Sequence, residues 1–161
     1  MRRLIFAAAL LALMPALAIA RDRTVPDPKM TPGALNPAVT QATIGSTICK
    51  PLWTKSVRPP ASFTNKLKRS QLAAYGYGPQ TDLHSVEEDH RVPLELGGAP
   101  REPKNLWPEP WVGAHGARSK DRLEKAVARD VCAGRLTLAQ GHAIFIGDFW
   151  QEYDRRFGAG H

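Results

Sequence analysis

The stretch that decides the fold is 87-EEDHRVPLELGG-98, followed shortly by 104-KNLWPEPW-111. Three acidic residues lead directly into His90, and the apolar segment after it ends at the pair Gly97-Gly98. Because glycine adopts backbone conformations that other residues avoid, this pair predicts a turn at which the chain reverses. A second apolar segment begins at Asn105. We therefore expect short strands and turns over 84–111 rather than a long helix.

Helical patterns flank this stretch on both sides. On the N-terminal side, an Asn-Pro cap favours a short helix over about 36–48, and a second helix is expected over 62–75. On the C-terminal side, apolar residues at spacings of three and four predict a helix over 114–132 and a last one over 137–157. The last helix starts with a capping-box pattern at Thr137. Strands and helices together predict an α+β fold.

The first 20 residues have the pattern of a secretory signal peptide. Arg2 and Arg3 precede an apolar run over 4–17, and Ala18-Ile19-Ala20 fits the small-x-small cleavage rule. The run is short for a membrane span, so a retained anchor is the weaker alternative. We expect an exported protein, periplasmic or secreted, with no stable membrane span after cleavage.

The remaining 141 residues suit one domain. Residues 21–35 are rich in proline and polar side chains, which predicts a flexible N-terminal arm, and 36–158 are expected to form a single, monomeric domain. Without Arg2 and Arg3 the formal charge falls from +7 to +5. A basic domain is biased toward polyanions such as nucleic acid, anionic lipid or cell-wall polymers.

Cys49 and Cys132 are the two cysteines of the chain. Because an exported chain meets an oxidising compartment, we expect a disulfide between them. Two free thiols or a metal-binding pair are the alternatives. The absence of CxxC spacing disfavours a structural zinc site.

His90, Asn105 and His115 follow one another at intervals of 15 and 10 residues. This order predicts a histidine on one strand, an asparagine on the returning strand and a histidine on the next helix. Such a set suits phosphodiester cleavage. An aspartate can bind a divalent metal, a neutral histidine can take a proton from water, and an amide oxygen can fix the tautomer of that histidine.

The motifs Asp89-His90, Leu94-x-Leu96-Gly97-Gly98 and Asn105-Leu106 resemble the HNH endonuclease family, in particular its small exported bacterial members. The resemblance covers most of the chain after the signal peptide. It implies a ββα-metal core, a hairpin plus a helix, surrounded by additional helices. It also implies that Asp89 binds the metal, His90 is the general base, Asn105 orients His90, and His115 is the second metal ligand.

Other residues near the motif have roles that stay open. Asp121 is an alternative to His115 as metal ligand, and Glu87 and Glu88 are either spare ligands or solvated charges. Mg²⁺ is the favoured ion, with Mn²⁺ or Zn²⁺ as alternatives. Basic side chains around the motif are expected to contact phosphates without reading the base sequence: Lys104, Arg118, Lys120 and Arg122.

The resemblance therefore implies an exported, metal-dependent nuclease with low sequence specificity, acting on DNA or alternatively on RNA. One rival hypothesis is a non-catalytic module that binds nucleic acid or an anionic envelope polymer on the same scaffold. Another is a structural envelope protein. The sequence has no HExxH motif and no arrangement of serine, histidine and aspartate that favours a protease or esterase.

Overall fold

A computed structural model describes residues 22–158, so the predicted signal peptide lies outside the described residues. This part of the chain forms five α-helices and one two-stranded antiparallel sheet, which confirms the α+β class. In chain order the elements are α1 (Trp53–Val57), α2 (Ala61–Gln71), β1 (Val86–His90), β2 (Leu106–Pro110), α3 (Ala117–Cys132), α4 (Leu138–Ile146) and α5 (Phe149–Phe157).

The β1–β2 hairpin confirms the strands expected over 84–111. Its register places Glu87 opposite Glu109 and Asp89 opposite Trp107. Directly opposed residues of antiparallel strands share one face of the sheet. Three carboxyl groups therefore lie on a single face, and α3 contacts this face through Lys120.

The opposite side of the hairpin is held by α2. The ammonium group of Lys68 donates hydrogen bonds to the carbonyl oxygens of Leu83 and Val86, both at 2.7 Å. The side-chain amide of Gln71 donates to the carbonyl oxygen of Leu106 at 3.1 Å.

The loop between the strands confirms the turn predicted for the glycine pair. Gly97 ends a short 3-10 turn (Leu94–Leu96) with a φ of 76°, a left-handed conformation that favours glycine. Gly98 is required for a different reason. A Cβ atom there would lie 1.8 Å from the carbonyl oxygen of Val92 and 2.7 Å from Nδ2 of Asn105.

We expect Gly98→Ala to destabilise the fold by about 2–3 kcal/mol, because the added methyl group displaces backbone atoms in a packed loop. Gly45→Ala is the matched control, since a Cβ at Gly45 meets nothing within 4 Å. Urea unfolding of the two variants measures the difference. Equal midpoints for both variants would contradict the close approach described here.

Helices α3, α4 and α5 form the main hydrophobic core with the loop between the strands. Helix α4 starts with the predicted capping box, in which Thr137 and Gln140 bond reciprocally. The prediction of one continuous helix over 137–157 is wrong. The chain breaks at Gly147, and the Asp148 side chain accepts a hydrogen bond from the backbone N–H of Gln151 to start α5. The buried side chains of this core include Val92, Leu96, Leu123, Val127, Val131, Phe145, Phe149 and Tyr153.

The segment before α1 differs from its sequence prediction. Over 36–48 only a 3-10 turn forms (Ile44–Ser46), so the expected short helix is absent there. The preceding residues pack on the domain instead of forming a free, flexible arm. Thr31 is fully buried, and its hydroxyl bonds to the Tyr75 hydroxyl at 2.6 Å and to the Leu106 carbonyl oxygen at 3.2 Å.

Cys49 and Cys132 form the predicted disulfide, with a sulfur–sulfur distance of 1.98 Å. The bond joins the segment before α1 to the last residue of α3, across 83 positions of sequence. It is compatible with export to an oxidising compartment. Among residues 22–158, no helix is long and apolar enough to cross a membrane.

Candidate functional site

A polar cleft of about 190 Å³ opens beside β1, between the loop that follows this strand and α3. It collects charged side chains from four separate parts of the chain. The lining residues are Arg58, Glu87, Asp89, His90, Pro93, Leu94, Glu95, Asp121, Glu124 and Lys125. The predicted metal ligand Asp89 and the predicted base His90 therefore share one cleft.

His90 is held as a neutral imidazole. Its ring Nε2 lies 3.0 Å from the carbonyl oxygen of Pro100, and a carbonyl accepts a hydrogen bond only from a protonated nitrogen. The proton therefore sits on Nε2 and the lone pair on Nδ1. Burial of the ring, which is only 4% exposed, lowers its pKa, and this outweighs the opposite influence of Asp89. A neutral ring with a free lone pair can accept a proton.

Asp89 is ionised and anchored on both carboxylate oxygens. Oδ1 accepts a hydrogen bond from the backbone N–H of His90 at 2.7 Å. Oδ2 accepts one from the ammonium group of Lys120 at 2.6 Å. Burial alone would raise the pKa of Asp89, but the charge of Lys120 outweighs it and lowers the pKa to about 2.

Lys120 is fully buried and uses all three of its N–H groups inside the protein. Besides Asp89, it donates to the carbonyl oxygen of His90 at 2.8 Å and to the Glu124 carboxylate. Burial alone would lower the pKa of this ammonium, but the surrounding carboxylates raise it above its ordinary value. The prediction that Lys120 contacts phosphate is therefore wrong, since the ammonium has neither exposure nor a spare donor.

Glu109 and Glu124 complete a buried charge cluster around Lys120. No hydrogen-bond donor of the described residues reaches the Glu109 carboxyl oxygens. Burial raises the pKa of Glu109 well above its usual range, and the charge of Asp89 acts in the same direction, against that of Lys120. Burial likewise raises the pKa of Glu124 to about 8. The Lys120 ammonium therefore balances the negative charge of Asp89, and it also balances that of Glu124 when the pH is high enough to ionise this carboxyl group.

Glu87 and Asp121 face the same cleft from β1 and α3. Burial, followed by the charges of Asp89 and Asp121, raises the pKa of Glu87 to about 7. A carboxylate with a raised pKa is one that a nearby cation would stabilise. Within residues 22–158, however, no three histidine, cysteine, aspartate or glutamate side chains are grouped so that they could hold a metal ion.

Asn105 does not orient His90; it shapes the loop instead. Its Nδ2 donates to the carbonyl oxygens of Val92 at 3.0 Å and Ala99 at 3.2 Å, and its Oδ1 accepts from the Val92 backbone N–H at 2.9 Å. The side chain is fully buried. It acts as a clamp across the turn, and the group that orients His90 is the carbonyl of Pro100 in the same loop.

His115 does not join Asp89. Its ring stacks on Trp150 at a centroid distance of 4.5 Å, and its Nε2 lies 3.4 Å from the Asp154 carboxylate. The segment before α3 therefore turns this side chain toward α5. The structure gives His115 a packing role, and it does not bring it to the cleft as a second metal ligand.

The remaining predicted phosphate contacts lie elsewhere as well. Lys104 and Arg118 are exposed outside the cleft lining. Arg122 places its guanidinium 3.9 Å from the centre of the Phe157 ring, facing α5. The exposed cations that do line the cleft, Arg58 and Lys125, were not among the predicted site residues. Their basic character was visible in the sequence, but nothing in it showed that α1 reaches the cleft.

No family model, no curated protein and no solved structure gives a significant match to this chain.

Proposed function

We propose that this chain is an exported, divalent-metal-dependent nuclease that hydrolyses phosphodiester bonds of DNA with low sequence specificity. The observation that carries the proposal is the pairing of Asp89 and His90 in one polar cleft, with the His90 ring fixed as a neutral base. The chain order of β1, β2 and α3 agrees with the ββα arrangement that the sequence resemblance implies.

In this proposal His90 is the general base. Its Nε2 proton is held by the Pro100 carbonyl, so Nδ1 accepts a proton from the attacking water. The lowered pKa keeps the ring unprotonated at neutral pH. Asn105 contributes indirectly, because it fixes the loop that carries the Pro100 carbonyl.

The donors of the cleft fit a hard divalent cation by their chemistry, since Mg²⁺ prefers carboxylate oxygens. Asp89, with either Glu87 or Asp121 from the same cleft, would hold the ion, and water would supply its other ligands. When bound, such an ion neutralises charge on the phosphate and on the leaving oxygen. Burial is the main cause of the raised Glu87 pKa, and the charges of Asp89 and Asp121 add to it. The repulsion among these carboxylates supports the assignment, because a bound cation would relieve it.

Degradation of plasmid DNA and of RNA by the purified, oxidised protein tests the proposal. We expect cutting with Mg²⁺ or Mn²⁺ and none with EDTA. His90→Ala should lower the rate at least about a hundredfold, because general-base catalysis contributes that much. His84→Ala is the matched control, since His84 is exposed and lies outside the cleft. Cutting that survives His90→Ala would reject the proposal.

A second candidate function is a non-catalytic module that binds nucleic acid or an anionic polymer. It is favoured by the hydrogen bond from Lys120 to Asp89, because an internal cation already neutralises the carboxylate that a metal would need. Retained DNA binding without cutting by any metal would select this candidate.

A further inference from the structure

The cleft contains two exposed cations that its catalytic groups do not use. Arg58 reaches it from the end of α1, and Lys125 reaches it from α3. We propose that Arg58 and Lys125 form a phosphate-binding pair that places the nucleic-acid backbone against Asp89 and His90. This inference rests on the proposed function and assigns the substrate-binding residues of that same site.

Arg58 combines a fixed backbone with a free guanidinium. Its backbone N–H donates to the carbonyl oxygen of Thr54 at 3.0 Å, and the buried Pro59 follows it. The side chain remains 54% exposed, and its ion pair with Glu95 is long, at 4.0 Å. A pair so exposed contributes little, so most of the five N–H donors of Arg58 are open to an anion. Guanidinium groups match phosphate oxygens in two-point hydrogen bonds.

Lys125 is the exposed counterpart of the buried Lys120 on the same helix. Among the described residues no hydrogen bond or ion pair engages its ammonium group, whereas Lys120 uses all three donors. Lys125 follows Glu124 directly, so its Cα lies next to the buried cluster while its side chain is exposed at the cleft. It can therefore supply positive charge to a ligand without weakening the cluster.

The negative charge of the cleft explains why a phosphate-binding pair of cations is needed there. The carboxylates of Glu87, Asp89, Glu95 and Asp121 would repel a phosphodiester that approached the base His90. Cations on two different elements give the phosphate an attractive contact from two directions. Basic residues elsewhere on the surface would bind DNA without directing any phosphate to His90.

The test measures DNA binding in the His90→Ala background with Mg²⁺, so that the substrate stays uncut. A short fluorescent duplex is titrated at KCl concentrations from about 50 to 300 mM. Each cation that neutralises a phosphate contributes about 0.9 to the slope of log affinity against log salt. Arg58→Ala and Lys125→Ala should each reduce that slope by about this amount, and Arg58→Lys should restore much of it.

Lys55→Ala is the matched control, because Lys55 is an exposed cation on α1 outside the cleft lining, and its slope should not change. Thermal unfolding of every variant checks that the fold is kept. Suppose that protein with an intact His90 cuts DNA, but Arg58→Ala/Lys125→Ala leaves both the KM and the salt dependence of DNA binding unchanged. The phosphate-binding pair is then rejected, while the proposed nuclease function stands. If the parent neither binds nor cuts DNA, the proposed function fails and the pair is rejected with it.

Discussion

Lys120→Met is expected to reduce the free energy of unfolding by about 3–5 kcal/mol, the usual cost of removing one partner from a buried ion pair. Methionine keeps most of the side-chain volume, so loss of packing contributes little. The loss comes from the carboxyl groups of Asp89 and Glu124, whose buried oxygens lose their hydrogen-bond donor. Urea unfolding at neutral pH in EDTA measures the change.

The pH dependence of this loss identifies its cause. In the parent protein, Lys120 holds the pKa of Asp89 at about 2, so Asp89 stabilises the fold above its unfolded pKa of about 3.9 and loses this effect only in strong acid. Without Lys120, burial raises the pKa of the same group. The folded variant then prefers protonated carboxyls, and its stability falls as pH rises above about 4.

The difference between variant and parent should therefore be larger at pH 8 than at pH 5. Lys125→Met serves as the control, because Lys125 is exposed on the same helix, and its effect should stay within about 0.5 kcal/mol at both values. A loss for Lys120→Met that is independent of pH would point to packing. It would contradict the role of the buried ammonium.

Local patterns in the sequence predicted the elements that depend on local physics. The hairpin, the helix that became α3 and the cap at Thr137 all follow from turns, spacing and capping residues. The prediction of one continuous helix over 137–157 was wrong, because the helical spacing of apolar residues continues across Gly147-Asp148 although the helix itself ends there. The overlooked signal was the pair Gly147-Asp148, in which a glycine that can end one helix is followed by an aspartate that can cap the next. The Asn-Pro pattern at 36–37 predicted a helix over 36–48, but the segment forms turns and one short 3-10 helix instead. The spacing of its apolar residues does not distinguish these two structures.

At the candidate site, too, the features that depend on neighbouring residues in the sequence were predicted, and those that depend on tertiary packing were not. The adjacency of Asp89 and His90 is written in the sequence, and the structure places both in one cleft. The direction of His115 and the burial of Lys120 depend on how α3 and α5 pack on the hairpin. Lys120 and Glu124 lie one helical turn apart, a spacing that suits an ion pair, but this signal was overlooked and Lys120 was assigned to phosphate. Only the tertiary structure shows that Asp89 joins this pair, through the hydrogen bond that it accepts from Lys120.

Loss of the disulfide is expected to cost about 4–5 kcal/mol in the chain-entropy account, because the bond closes a loop of 83 positions in the unfolded chain. Cys49→Ala/Cys132→Ala and reduction of the parent should give the same loss. Cys132 is exposed and Cys49 is only partly buried, so missing side-chain packing adds little. Urea unfolding with and without reductant measures both effects, and reductant should not change the double variant.

The loop that the disulfide closes runs from Cys49 to Cys132 and contains α1, α2, β1, β2 and α3. All lining residues of the cleft therefore fall between the two cysteines. Reduction should raise the unfolded fraction without changing the contacts of Asp89 and His90 in the molecules that stay folded. The proposed nuclease activity, measured per folded molecule, should then be equal for oxidised and reduced protein, since the bond acts on the unfolded chain. A loss of activity that exceeds the loss of folded protein would show that the bond also shapes the cleft.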